Sequence, residues 1–141
     1  TISAKVLCNT KYLFIYKKMI SMKKKVNIEK SKTQMRRGIL EFCVLSIIAQ
    51  SEKYPSEIIK EMKKANLLVV EGTLYPLLTR LKNANLLTYR WEESRSGPPR
   101  KYYRLTTEGE HFKDALQLTW QELNRAVNSI HSNSINLDSH E

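Results

Sequence analysis

The side chains in this sequence that are best suited to chemistry are hydroxyl, amide and cationic groups between positions 71 and 106. Tyr75, Thr79 and Asn83 follow one another at four-residue intervals, and Arg80 flanks them, so that on a helix they share its outer side. Groups of this kind hydrogen-bond to base edges and phosphates. The pattern predicts a helix that contacts nucleic acid. The alternative is a solvated polar face, such as every surface helix has.

A second group of cations follows in a segment typical of a β-hairpin. Residues 86–93 and 100–105 are rich in β-forming side chains, and the turn-forming stretch SRSGPP lies between them. The cations at the tip and base of this hairpin are Arg95, Arg100 and Lys101. A basic two-stranded wing directly after a polar-faced helix is the arrangement of a winged helix-turn-helix, and it strengthens the prediction of DNA binding.

Three residues are expected to shape the tip of that hairpin. Gly97 can adopt the positive φ that a turn demands. Pro98 and Pro99 lack the N–H group that a strand ladder needs, so we expect them in the loop or at its rim. The result is a wing with a stiff tip.

Catalysis and metal binding are not expected. His111, His131 and His140 are far apart in the sequence, and no Cys or carboxylate lies at metal-ligand spacing from them. The chain has 4 glycines, none at the spacing of a phosphate-binding loop. We therefore expect no enzymatic activity, no metal and no cofactor.

Three predicted helices precede the hairpin and must position these groups. Apolar side chains at three- and four-residue spacing predict the first over residues 33–50, the second over about 56–65 and the third over about 73–85. A long fourth helix is predicted over residues 106–130. The order is helix, helix, helix, strand, strand, long helix.

Two helix starts carry recognisable signals. Pro76 is expected in the first turn of the third helix, where its missing N–H has no intrahelical partner, with Gly72 or Thr73 as the N-cap. Thr106 or Thr107 is expected to cap the long helix, and Thr107 has a glutamate at capping-box spacing.

The long helix carries an apolar seam. Its members recur at intervals of four and three residues, as in a coiled coil, and they are Leu116, Trp120, Leu123, Val127 and Ile130. One hairpin cannot cover this seam, so a second copy of the chain is expected to pair with it as a homodimer. Trp120 is either an anchor of the dimer core or an aromatic wall for a flat effector between two subunits.

Charge is unevenly distributed along the chain. The net charge is +10 at pH 7, yet residues 106–141 carry only 2 Lys/Arg against 6 Asp/Glu. The basic residues therefore concentrate in the part that holds the predicted helix and wing. This distribution favours a polyanionic partner for that part, here double-stranded DNA.

The two ends of the chain are expected to lie outside the folded domain. Residues 1–32 are predicted to be a basic, flexible extension, and residues 131–141 a polar, disordered tail. Met22 opens a run typical of a natural start, so residues 1–21 are expected to be an upstream or misassigned extension outside the fold.

Neither a membrane span nor a disulfide framework is expected. The apolar stretch YLFIY is only five residues long, too short for a bilayer span or a signal-peptide core. The two cysteines, Cys8 and Cys43, fit a reducing cytoplasm, and Cys43 lies in an apolar run as a small buried hydrophobe.

The sequence resembles the PadR family of bacterial transcriptional regulators over roughly residues 33–130. The segments that carry the resemblance are EGTLYPLLTRL (71–81), SGPPRKYYRLT (96–106) and Gly109. The single helix after the hairpin, with Trp120, resembles the small subfamily of that family. The resemblance implies a winged helix-turn-helix homodimer that represses transcription. In some members of the family a small aromatic or drug-like ligand relieves that repression.

The resemblance also assigns residues by position. The recognition-helix motif matches Thr73, Tyr75, Pro76 and Arg80, and the wing motif matches Gly97, Arg100, Lys101 and Tyr102. Trp120 matches the aromatic that lines a ligand pore at the dimer centre in multidrug-binding members. The chain departs from the family pattern at Tyr54-Pro55-Ser56, before the second helix, and at Pro98-Pro99, in the wing.

These observations predict a mainly α (α+β) fold, a winged helix-turn-helix over residues 33–105 with a long dimerisation helix over 106–130. The predicted function is sequence-specific repression by a homodimer on a palindromic operator, in the cytoplasm and associated with the nucleoid. Two alternatives are a winged-helix module that binds another protein without sequence-specific DNA binding, and a small-molecule sensor whose main site is at Trp120.

Overall fold

Between residues 2 and 137 the chain forms four helices and a two-stranded sheet in the predicted order. The computed structural model describes the backbone of residues 2–137 and the side chains of residues 13–15, 17–18 and 28–132. The elements are α1 (Ile2–Gln50), α2 (Pro55–Lys64), α3 (Glu71–Asn83), β1 (Leu87–Ser94), β2 (Gly97–Leu105) and α4 (Thr107–Leu137). The predicted winged helix-turn-helix with a long C-terminal helix is confirmed.

Helix α1 begins far earlier than predicted. It is helical from Ile2 rather than from about residue 33, because residues 2–37 contain neither proline nor glycine to stop it. The chain divides into two units after Ile39, and the predicted site residues all lie in the second. The side chains of residues 1–12 lie outside the described residues, and the prediction that residues 1–21 are an extension outside the fold stays a prediction.

The hydrophobic core lies where the end of α1, helices α2 and α3, and the hairpin meet. Its members are Val44, Leu45, Ile48, Ile58, Met62, Leu74, Leu77, Leu78, Leu81, Leu87 and Tyr103. Four of these are the leucines of α3, so one side of that helix is buried and the other faces solvent. Each buried leucine contributes roughly 1.5–3 kcal/mol relative to an exposed one, so the core holds α3 in one orientation.

Helix α3 starts at Glu71 rather than at the predicted Thr73. The N-cap residue is Val70, not Gly72 or Thr73. Its backbone oxygen accepts hydrogen bonds from the N–H groups of Thr73 and Leu74, and no side chain caps the helix. Pro76 is consequently inside the helix rather than in its first turn. The hydrogen bond that a proline cannot make would end on the carbonyl of the residue four positions earlier, the exposed Gly72, where water can replace it.

Asparagines, not Gly97, adopt the left-handed conformation. Asn66 and Asn85 have φ values of 58° and 59°, whereas none of the glycines that the structure describes has a positive φ. Each asparagine follows the last turn of a helix. After α3, Asn85 N–H donates to Lys82 O and Leu86 N–H to Leu81 O, the Schellman pattern, and α2 ends in the same way. The prediction that the wing turn needs a positive φ at Gly97 was wrong.

The hairpin is longer than predicted, and its proline pair is part of a strand. Strands β1 and β2 pair antiparallel from Leu87 opposite Leu105 to Ser94 opposite Gly97, so only two residues form the turn. Pro98 and Pro99 therefore lie in β2, not in a loop. They are tolerated because the register shifts between Glu92 and Ser94, where the regular ladder of N–H donors is interrupted.

Helix α4 is capped by Thr106 rather than Thr107. The Oγ1 atom of Thr106 accepts a hydrogen bond from Gly109 N–H at 2.9 Å and donates one to Asn85 O at 2.6 Å. The helix continues to Leu137, past the predicted end at residue 130, because residues 131–137 contain neither proline nor glycine. Part of the predicted disordered tail is thus helical, and residues 138–141 lie outside the described residues.

None of the helices in the described part of the chain has an apolar stretch long enough to cross a membrane.

Candidate nucleic-acid interface

The outer side of α3 presents the predicted DNA-reading side chains to solvent. Its buried side is leucine only, because Leu74, Leu78 and Leu81 are fully covered. The exposed side carries all six residues predicted for this helix, namely Thr73, Tyr75, Pro76, Thr79, Arg80 and Asn83. Tyr75 keeps 47% of its surface exposed, so its ring and hydroxyl remain available to a partner.

Arg80 has a partner that sequence reasoning missed. Its Nη1 atom lies 3.4 Å from Oε1 of Glu41, a residue of α1. The Arg80 side chain is 63% exposed and that of Glu41 only 26%. A guanidinium has five N–H donors, so this single contact leaves most of them free to bind a partner. No local signal reveals Glu41, because it lies on a different helix.

The hairpin is fixed to the loop between α1 and α2. Lys53 and Tyr103 exchange two backbone hydrogen bonds, of 3.1 Å and 2.8 Å, which adds a one-residue third member to the sheet. Arg90 donates to Glu92 at 2.5 Å and to Glu52 at 2.6 Å. These two hydrogen bonds raise the pKa of the Arg90 guanidinium. The middle of the wing is therefore bonded to this loop, so the wing is anchored there as well as at its base.

Aromatic rings hold the two wing cations. The Arg100 guanidinium lies 4.6 Å from the ring centre of Tyr54, and Lys101 Nζ lies 4.5 Å from that of Tyr89 and 5.0 Å from that of Trp91. Cation–π contacts at exposed sites contribute about 0.5–1 kcal/mol each, enough to bias both side chains toward one orientation. The departure from the family pattern at Tyr54 thus has a structural role, since its ring also packs edge-on against Tyr102 at 5.3 Å.

A groove separates α3 from the wing. The cavity has a volume of about 510 Å³. The residues that line it are Tyr75 and Thr79 of α3, Trp91, Pro98, Pro99, Arg100, Lys101 and Tyr103 of the hairpin, and Tyr54, Pro55 and Ser56 at the start of α2. The structure thus brings two predicted residues of the helix and two predicted cations of the wing into one concave surface.

Other predicted site residues do not line this groove. Thr73, Arg80 and Asn83 lie elsewhere on the exposed side of α3. Arg95 lies in the wing turn and Gly97 at the start of β2, and both are exposed. Sequence reasoning missed the contribution of Trp91, although an aromatic that alternates with cations along a predicted strand is a signal that could have found it.

The seam of α4 is mostly exposed in the single chain. Trp120, Leu123, Val127 and Ile130 keep between 44% and 70% of their surfaces accessible. Leu116 differs from the other four predicted seam residues because it packs against the core of its own chain. The seam therefore begins at the domain core and runs outward along the helix.

The described residues contain no group of three or more His, Cys, Asp or Glu that could hold a metal ion. Cys43 is half-buried, and desolvation raises the pKa of its thiol. An elevated pKa lowers the thiolate fraction at neutral pH, so the residue is poorly suited to nucleophilic chemistry.

Comparison with known proteins agrees with this architecture. A PadR-like transcription factor from Bacteroides fragilis is 55% identical with a TM-score of 0.61, and the match covers 72% of this chain and 98% of that one. A PadR family transcriptional regulator from Eggerthella lenta is 30% identical with a TM-score of 0.72, over 77% and 96% of the two chains. Bacillus subtilis PadR, solved in complex with operator DNA, is 20% identical with a TM-score of 0.52, over 56% and 46%, and at that identity it supports the fold alone.

A family model described as "Transcriptional regulator PadR-like family" matches residues 44–114, half of the chain. The match runs from the buried end of α1 through α2, α3 and the wing into α4. It therefore includes every element that forms the groove and the exposed face of the third helix. The chain belongs to the PadR-like family of transcriptional regulators, proteins that control transcription and are not enzymes.

Proposed function

We propose that this protein is a sequence-specific DNA-binding repressor that acts as a homodimer. The observation that carries the proposal is the exposed polar side of α3 next to the cationic groove of the wing. A rigid leucine core behind α3 fixes the direction in which Tyr75, Thr79 and Arg80 point. Such a regulator works at the chromosome, in the cytoplasm.

Helix α3 is the element proposed to enter the major groove. Its exposed side chains supply an aromatic hydroxyl, a threonine hydroxyl, an amide and a guanidinium, which match the donors and acceptors on base edges. The wing is proposed to bind the phosphate backbone, because Arg100 and Lys101 are already oriented on aromatic rings and Arg95 is exposed at the turn. The operator complex of Bacillus subtilis PadR is consistent with DNA as the partner.

A second copy of the chain is the proposed occupant of the α4 seam. The exposed apolar side chains from Trp120 to Ile130 recur at intervals of three and four residues, the spacing with which one helix packs against another. A seam of this kind is complementary to itself, and cyclic dimers are the commonest oligomers. Two copies would present two α3 helices to the two half-sites of a palindromic operator.

A small aromatic effector is proposed to bind at Trp120. The ring is 44% exposed in the single chain and lies on the seam that the second copy would cover. A planar ligand could stack there between two subunits and change their spacing. In a Trp91→Phe background, where Trp120 is the one remaining tryptophan, quenching of fluorescence by planar aromatics would support this site. An unquenched signal up to the solubility limit of those ligands would count against it.

The direct test of DNA recognition is selection of binding sites from a random double-stranded library. We expect the wild-type protein to enrich an inverted repeat whose half-sites lie one or more helical turns apart. Thr79→Ala should weaken enrichment, because it removes a hydroxyl from the groove beside α3. Thr107→Ala, which removes an exposed hydroxyl from the first turn of α4, is the matched control and should leave enrichment unchanged.

The library experiment also separates the alternative of a protein-interaction module. Such a module would retain DNA only through charge, so it would enrich no sequence and would lose all binding at moderate salt. That result would contradict the proposed function.

A further inference from the structure

Glu41 is the one carboxylate in contact with the proposed DNA-reading face of α3 among the ion pairs of the described residues. It reaches Arg80 from a neighbouring helix, at 3.4 Å, while Val44 and Leu45, three and four residues further along its own helix, are fully buried in the core. Glu41 thus lies one helical turn from the buried core. A negative charge at this place is unexpected in a protein that binds a polyanion.

Two physical consequences follow from this pair. The carboxylate restricts the direction of the Arg80 guanidinium, whose planar fork is useful for recognition only when it is correctly oriented. The same carboxylate repels phosphate oxygens, so it weakens binding of Arg80 to the DNA backbone at any sequence. An ion pair with this exposure adds little to stability, and folding alone does not account for it.

We propose that Glu41 is a positioning residue for sequence discrimination, which directs Arg80 toward the edge of a guanine and away from phosphate. The inference rests on the proposed function and adds to it a specific base and a residue outside the recognition helix. Guanine is the base that fits, because its O6 and N7 acceptors match two parallel N–H donors of arginine in the major groove. Arg80 has those donors left over after its contact with Glu41.

Arg80 and the groove residues should read different base pairs. Arg80 lies in the last turn of α3 and does not line the groove, whereas Tyr75 and Thr79 do. Loss of the pair should therefore erase preference at one position in each half-site and leave the other positions intact. A merely structural role for Glu41 would weaken all positions together.

The test is binding-site selection with the full chain, read out position by position. Arg80→Ala should abolish a guanine preference at one position of each half-site. Glu41→Gln should reduce the preference at that same position by about tenfold and should raise the affinity for a scrambled duplex. Arg80→Lys keeps the charge but lacks the planar fork that Glu41 orients, so it should weaken the same guanine preference even if Glu41→Gln is poorly folded.

The matched control is Glu61→Gln, which removes the same charge from an ion pair within α2, between Glu61 and Lys64 at 2.8 Å. It should keep every positional preference. The inference is overturned if Glu41→Gln selects the wild-type site with undiminished guanine preference, or if it loses preference evenly across the site. A wild-type protein that enriches no sequence overturns the proposed function as well, so the two failures are distinguishable.

Discussion

Gly109 lies so close to Leu86 that a Cβ atom on the glycine would stand 2.0 Å from the carbonyl oxygen of the leucine. The same oxygen accepts a hydrogen bond from Thr106 N–H at 3.1 Å. The first turn of α4 is thus held directly against the backbone that follows α3. Through this contact the proposed dimerisation helix and the proposed recognition helix are joined with little freedom between them.

Replacement of Gly109 by alanine should destabilise the protein. The added methyl group meets backbone atoms that cannot rotate away, so α4 must move, and overpacking of this kind costs about 1–3 kcal/mol in the free energy of unfolding. Denaturant titration followed by circular dichroism measures the change. Gly38→Ala is the control, because a Cβ there has no neighbour within 4 Å. It should be neutral or stabilising by up to about 1 kcal/mol, and equal losses in both variants would contradict the account.

A charge in the α4 seam should separate the dimer. Leu123→Asp places a carboxylate where the second copy would bury it, and an unpaired buried charge costs several kcal/mol. We expect the dissociation constant of the dimer to rise at least about a hundredfold, and the operator affinity to fall accordingly. Analytical ultracentrifugation measures the first effect and gel shift the second.

The matched control for the seam is Leu118→Asp. Leu118 lies on the same helix with 61% of its surface exposed, compared with 56% for Leu123. Because it follows Leu116 by two residues, it lies on the side of the helix opposite to the seam. This variant should remain dimeric. Dissociation of both variants alike, or a Leu123→Asp monomer that still binds the operator tightly, would place the interface elsewhere.

Cys43 should react slowly with alkylating reagents in the folded protein. Burial raises the pKa of its thiol above the ordinary value of 9.0, so less thiolate is present at neutral pH than in the unfolded chain. The same shift means that its contribution to stability is complete below the ordinary pKa and declines as the pH rises above it. Peptide-resolved mass spectrometry after iodoacetamide treatment, with and without urea, gives the two rates. Equal rates would show that the thiol is accessible in the native state.

The sequence predicts the order of elements well because each has a strong local signal. The leucines of α3 recur with helical spacing, and they are the residues that the structure buries. Glycine and proline were less reliable guides. Pro98 and Pro99 suggest a loop, yet a register shift in the partner strand accommodates them in β2. The two asparagines that terminate α2 and α3 in the left-handed conformation were not anticipated, since asparagine also occurs widely in other turns.

Contacts between distant segments could not be predicted from spacing. The pair formed by Arg80 and Glu41 joins two helices, and the bond between Arg90 and Glu52 joins the wing to a loop. None of these four charged residues has a sequence neighbour that would indicate its partner. The position of Tyr54 under Arg100 likewise depends on how the wing folds back over the start of α2. These tertiary contacts give the exposed cations defined orientations on the surface of the protein.

The central claim is that α3 discriminates between DNA sequences, and a competition titration tests it most directly. Fluorescence anisotropy would measure binding of the wild-type protein to the selected palindromic duplex and to a scrambled duplex of equal length, at two salt concentrations. We predict affinity at least about a thousandfold higher for the palindrome, a steep fall of both affinities with salt, and loss of most of the difference in a still-dimeric Arg80→Ala variant. Equal affinity of the wild-type protein for the two duplexes would contradict the account.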